Sequence, residues 1–144
     1  MATFILEDLS GRIEVVVFPD SYTKYFDSMS EDQLVWVKGK FLGEGENRRI
    51  HLLQIMTLSD ALEKQAKRMY LRIFLPGIEE SIFEELKSIL EKHRGHCPVF
   101  FELETPQSYR MVVKSVDIDG VSPSEELSRN IEELLGEHSV CIEY

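Results

Sequence analysis

Apolar and polar residues partly alternate on both sides of Leu9-Ser10-Gly11, through Thr3-Phe4-Ile5-Leu6-Glu7 before it and Arg12-Ile13-Glu14-Val15 after it. A period of two around a tight turn predicts a half-buried β-hairpin. The run Val15-Val16-Val17 is β-branched and stiff, which suits a pleat. Pro19 has no N–H to give to a ladder and is expected to close the second strand. Asp20 to Met29 reads as a short helix, capped by Asp20, with Tyr22, Tyr25 and Phe26 on one face. Gln33–Leu42 reads as a long strand in which Gly39 marks a bulge or bend. Gly43–Asn47 is a turn, and the Ile- and Leu-rich stretch Arg49–Leu58 is the next strand.

The order strand, strand, helix, bent strand, strand is that of a five-stranded oligonucleotide-binding (OB) barrel whose first strand is missing. Ser59–Arg68 is expected to be a connecting helix capped by Ser59 or Asp60. The rhythm then changes. Met69–Leu75 alternates as a strand. Glu79–Lys92 carries Ile82, Phe83, Leu86, Ile89 and Leu90 on one helical stripe. Cys97–Glu104 and Tyr109–Val116 form a hairpin over Thr105–Ser108. Ser122-Pro123-Ser124-Glu125 reads as a capping box opening a helix with the stripe Leu127, Ile131, Leu134 and Leu135, and His138–Glu143 is a last strand. The fold class is therefore α+β: a partial OB-type barrel over 1–58, a helix over 59–68, and a β-α-β-β-α-β domain over 69–144. The simplest form of that domain is a small sheet of the split βαβ type, with both helices on one face.

The 144 residues, 43% hydrophobic, suffice for two small cores. No apolar run approaches the roughly 18 residues of a membrane span, and the N-terminus lacks a secretion signal. Cys97 and Cys141 are expected to be reduced, packed thiols in a cytoplasmic protein, although one disulfide would be compatible with the sequence. Net charge is −10, with −4 over residues 1–66 and −6 over the rest. That balance excludes a tight, independent nucleic-acid binder, whose affinity would rest on neutralising phosphates. The acidic second half suits a protein partner.

No glycine-rich phosphate loop, nucleophile elbow or paired catalytic carboxylate is legible, and no cofactor is implied. His93, His96 and Cys97, with Glu91 nearby, cluster locally but lack a metal-site spacing, so a helix terminus, a turn and a buried thiol is the simpler reading. The candidate nucleic-acid surface consists of Trp36, Lys38, Lys40, Arg48 and Arg49. A positive groove with an aromatic platform binds single strands, and period-two alternation sets Trp36, Lys38 and Lys40 on one face. Glu44 and Glu46 in the adjoining loop oppose this.

Leu6-Glu7-Asp8 through Gly11, followed by Ile13-Glu14-Val15-Val16-Val17-Phe18-Pro19, resembles the C-terminal region of the bacterial replicative DNA polymerase III alpha subunit. The likeness continues at Val37-Lys38-Gly39, Phe83-Glu84-Glu85-Leu86, Gly95-His96-Cys97-Pro98-Val99 and Pro123–Leu127 to Leu134-Leu135-Gly136, covering nearly the whole chain. It implies an OB domain that meets single-stranded template, then a domain that in some branches binds the tau subunit of the clamp loader. It implies no catalysis in this chain, because the family's catalytic aspartates find no match here. The family's first barrel strand and the basic loop after it are also unmatched, and Thr3 stands where the family often has an aromatic residue. Single-stranded DNA binding by this chain alone is therefore expected to be weak. Unpaired barrel edges further predict a homodimer or strand exchange through the first half. The alternative is a stand-alone protein that binds single-stranded nucleic acid through an OB-like barrel. An enzyme built on the second domain is disfavoured by the lack of any clustered nucleophile, base and anion site.

Overall fold

A computed structural model describes residues 1–144, which form two compact units, Met1–Ala61 and Leu62–Tyr144. The first begins with β1 (Ala2–Glu7) and β2 (Arg12–Val17) in antiparallel register, Ala2 opposite Val17 and Glu7 opposite Arg12. The turn is built by Asp8, whose Oδ1 accepts hydrogen bonds from the Ser10 N–H (2.7 Å), the Ser10 hydroxyl (2.6 Å) and the Gly11 N–H (2.9 Å). A side chain that bonds its own turn replaces ladder contacts that the bend cannot make. The Ser10 hydroxyl, then the Ser10 and Gly11 amides, hold the Asp8 carboxyl below the usual carboxylate range.

β2 ends at Val17, before Pro19, and Pro19 also opens the helix α1 (Pro19–Tyr25), with Phe18 at its N-cap and no side-chain cap bond. Proline at the first helical position gives up an N–H that has no partner there anyway. The helix is shorter than the expected Asp20–Met29, because a 3-10 turn takes over at Phe26–Ser28. Only Tyr25 of the expected aromatic face packs on the core; Tyr22 and Phe26 stack edge-on to each other in the open, with ring centroids 5.4 Å apart.

The unit is completed by β3 (Val35–Leu42) and β4 (Arg49–Thr57), giving the open sheet order β1-β2-β4-β3. Here β4 runs parallel to β2 and antiparallel to β3, and no pairing closes β1 onto β3. The β3–β4 register shifts between Lys38 and Gly39, where the sequence signalled a bulge. A Cβ on Gly39 would collide with the Ile50 side chain and sit 2.6 Å from the His51 carbonyl oxygen, so the close approach of two backbones demands glycine. The core under this sheet is small: Val15, Val17, Leu52 and Ile55 are buried, with Phe4, Leu6, Val35 and Val37 partly so.

Helix α2 spans Leu58–Gln65, and the division into units falls within it. Its cap is Thr57 rather than Ser59 or Asp60: the Thr57 hydroxyl accepts from the Asp60 N–H at 3.1 Å.

In the second unit the order is β5 (Arg68–Phe74), α3 (Glu80–Lys92), β6 (Arg94–Cys97), β7 (Val99–Glu104), β8 (Arg110–Lys114), α4 (Glu125–Leu135) and β9 (Val140–Glu143). The expected strand from Cys97 to Glu104 is split by Pro98. Its upstream part becomes β6, which bridges only to Val121. The sheet order is β8-β7-β5-β9. The split arrangement is overturned, since β5 and β7 are direct, parallel neighbours joined through α3. Met69, Leu71 and Ile73 of β5 pack in one core with Leu86 and Leu90 of α3 and Leu127 and Ile131 of α4, so both helices cover the same face. The cap of α4 lies two residues later than the sequence suggested. Ser124 Oγ accepts from the Leu127 N–H at 3.1 Å, while Ser122 donates its hydroxyl to Glu63 at 3.3 Å. Cys97 is buried, and burial pushes its thiol pKa up; Cys141, expected to be packed, is exposed, and both are free thiols.

Replacing Gly39 by alanine forces apart two paired strands that have no slack. Gly39→Ala is expected to destabilise the first unit by about 1–3 kcal/mol. The lone tryptophan, Trp36, lies on the same strand, so urea unfolding followed by its fluorescence reads this unit; an unchanged midpoint would refute the close-packing account.

Candidate nucleic-acid interface

Val35 and Val37 turn inward from β3 to the core, so the alternate residues Trp36, Lys38 and Lys40 lie on the outer face of the sheet. Lys38 and Lys40 are exposed, Trp36 is half-buried, and neither lysine has a carboxylate within 4.0 Å. Opposite them on β4 stand Met56, Gln54 and His51, and the His51 ring meets Phe18 edge-on with centroids 4.5 Å apart. One aromatic and two free cations thus share a strip along the edge strand β3.

The other two candidates are not equivalent. Arg49 begins β4, and its Nε lies 2.7 Å from Glu14 Oε2 on the parallel neighbour β2. That ion pair engages the Arg49 guanidinium and offsets the charge it could offer an anion. Arg48 is exposed and free of such a partner, but it sits in the loop just before β4. The structure therefore groups Trp36, Lys38 and Lys40, leaves Arg48 apart, and engages Arg49 internally.

A second feature was not legible in the sequence. Between the free edge of β1 and the segment Ser28–Val35 lies an open groove of about 650 Å³, lined among others by Phe4, Leu6, Met29, Gln33 and Ile55. Gln33 Oε1 is buried beside it without a hydrogen-bond donor. Because the Asp8 N–H bonds the Gly11 carbonyl, alternation directs the backbone groups of Leu6 and Phe4 toward β2, and those of Thr3, Ile5 and Glu7 outward along this edge.

Elsewhere, His93 caps the C-terminus of α3, His96 is exposed in β6 and Cys97 is buried. No group of three or more His, Cys, Asp or Glu side chains gathers where a metal could be held. No helix is long and apolar enough to cross a membrane.

Residues 1–58 match the family described as an OB-fold nucleic acid binding domain, of the tRNA anti-codon type. Over 142 residues the chain is 28% identical to DNA polymerase III subunit alpha of Vibrio cholerae and, separately, of Escherichia coli, covering 96% of this chain and 12% of each relative. The same subunit of Saccharopolyspora erythraea is 29% identical over 145 residues, covering 94% of this chain and 12% of that relative. Homologues along nearly its whole length are DNA polymerase III alpha subunits. The chain spans about an eighth of the length of these curated relatives. The family likeness drawn from the residues holds at this level, and the OB match falls on the unit that carries Trp36, Lys38 and Lys40.

Proposed function

We propose that the chain is a non-catalytic region of a bacterial replicative DNA polymerase III alpha subunit, acting in the cytoplasm through two binding modules. Residues 1–58 contact single-stranded template chiefly through Trp36, Lys38 and Lys40, with Arg48 an added cation and Arg49, held by Glu14, a minor contributor. Residues 69–144, reached through the connecting helix, hold the clamp-loader tau subunit, and the rest of the polymerase is the remaining partner. The observation that carries this reading is the match of 96% of the chain to alpha subunits, joined to an OB nucleic-acid-binding match over its first unit.

The four strands of the first unit are, in this reading, the second to fifth of a five-stranded barrel. An antiparallel pair, a parallel β2–β4 contact and an antiparallel β4–β3 contact support it. The groove beside β1 is then the seat of the opening strand, whose backbone N–H groups would satisfy Gln33 Oε1. In the isolated chain that seat invites the edge of a second copy. Light scattering is expected to show a dimer at high concentration that Ile5→Pro, which removes an outward N–H from β1, returns to monomer. A strict monomer would refute the edge pairing.

DNA binding by this chain alone is expected to be weak, because the net charge is −10 and Glu14 holds Arg49. About three free cations predict a log–log salt slope near −2 on single strands, with Kd in the ~10⁻⁴–10⁻⁶ M range of non-specific binding. Fluorescence anisotropy with a labelled oligothymidine checks this. Trp36→Ala is expected to cost about 1–3 kcal/mol through lost stacking. Lys38→Ala with Lys40→Ala should flatten the slope by roughly 1.4, and Arg49→Ala should change little. Binding indifferent to both Trp36 and the lysines would remove the site.

The general OB match also favours a second reading, a stand-alone protein that binds single-stranded nucleic acid. Calorimetry with purified tau separates the two. Tau binding that survives deletion of residues 1–58 is the expected result; DNA binding with no tau binding supports the stand-alone reading, and tau binding that requires residues 1–58 overturns the division of labour.

A further inference from the structure

The outer strand β8 has every one of its residues, Arg110 to Lys114, exposed. Exposure there is unusual for its chemistry: Met111 is 62% and Val112 57% exposed, on opposite faces of the strand. The Thr105 N–H donates to the Tyr109 carbonyl, and the Ser115 N–H donates to the Val99 carbonyl. By antiparallel alternation, residues 109, 111, 113 and 115 spend their backbone groups on β7. Arg110, Val112 and Lys114 therefore turn three N–H and three C=O groups outward, with no neighbour in the sheet order.

The side chains beside this edge are equally specific. Met111 and Val113 lie on the helix-covered side, across from Leu103 and Phe101. Beside Phe101 a mostly apolar recess of about 150 Å³ is lined by Phe83 and Leu86 of α3 and by Ile118, together with the ion-paired Lys87 and Asp117. Phe83, placed on the helix stripe by its spacing, remains 39% exposed there. On the opposite side Arg110 and Lys114 flank Val112. Neither has a carboxylate within 4.0 Å, although Glu104 faces Arg110 in register.

We propose that the free edge of β8 is a binding site for an extended peptide segment of another protein, which adds a strand to the sheet. Backbone bonds supply affinity in such complexes, and alternate side chains supply specificity. The segment carries acidic residues at positions i and i+4, set against Arg110 and Lys114, with apolar residues between them that cover Val112 on one side and Met111 and Val113 on the other. Opposite charges directly across a ladder stabilise pairing and like charges oppose it. A second copy of this chain is therefore a poor occupant, since antiparallel pairing centred on Val112 sets Arg110 against Lys114 twice. The site does not depend on the identity of the clamp-loader partner.

The test is selection of linear twelve-residue peptides from a random display library against the full chain. The expected winners alternate apolar residues and carry carboxylates at i and i+4. They bind Val112→Pro at least tenfold more weakly, because that variant removes an outward N–H while leaving the β7 ladder intact. They also slow hydrogen exchange at the amides of Arg110, Val112 and Lys114. The double variant Arg110→Glu with Lys114→Glu leaves the backbone untouched and should select basic flanks instead, so the test stands even if the proline variant fails to fold. No enrichment, winners without acidic flanks, winners that bind Val112→Pro as tightly as the parent chain, or a double variant that selects the same peptides would each overturn the proposal.

Discussion

A strand at the rim of an open sheet leaves half of its backbone N–H and C=O groups without a partner in that sheet. Both units of this protein are four-stranded open sheets, so each has two such rims. How each rim is satisfied or left bare governs where the molecule can meet others. In the first unit the bare rims are β1 and β3. One borders a groove with an orphaned amide oxygen, and the other carries the tryptophan and two free lysines. In the second unit the rims are β9 and β8, and contacts at the end of β9 tie it to β5 without covering its outer edge. The Lys67 N–H donates to the Glu143 carbonyl at 2.7 Å, Lys67 Nζ reaches the Tyr144 carbonyl at 2.8 Å, and Arg68 lies 3.5 Å from the Glu143 carboxylate. The outer edge of β8 is likewise without a neighbour in its sheet.

The two cores differ accordingly. Helices α3 and α4 bury a continuous apolar face of the second sheet, with twelve buried residues in one cluster. The first sheet has only the short α1 against it and four fully buried side chains in its cluster. Burial of apolar area is the main favourable term in folding, so the second unit holds the larger share of stabilising contacts. The first unit adds to its small core the Asp8 turn and the close backbone contact at Gly39. Surface ion pairs add little stability. The consequence of the Glu14–Arg49 pair is chiefly electrostatic, because it withdraws one cation from the outer face.

Much of the local structure was legible because it follows from short-range chemistry. Residues Ile82 to Leu90 and Leu127 to Leu135 repeat at helical spacing, and those segments are helices. Gly39 inside a β pattern marked the register shift. Boundaries had local competitors: Pro19 suits both the end of a strand and the start of a helix, and Ser122 and Ser124 offered two caps of equal appearance. The strip of Trp36, Lys38 and Lys40 was readable because the three lie on one strand, whose alternation fixes their common side. The pairing of Arg49 was not legible because its partner, Glu14, is 35 residues away and meets it only through a parallel strand pairing.

By itself the sequence determined the α+β character, the two helices of the second half, the opening hairpin and the likeness to polymerase alpha subunits, all of which depend on periodicity, turn chemistry or residue identity in contiguous stretches. Only the tertiary structure decided which strands are neighbours: that β5 and β7 lie side by side, that β2 and β4 run parallel, and that β8 ends its sheet with three residues facing outward. Strand pairing is a contest among distant segments with similar local preferences, settled by helix cover and connection geometry rather than by any one segment. The rims, and with them the surfaces open to DNA or to another protein, are products of that contest.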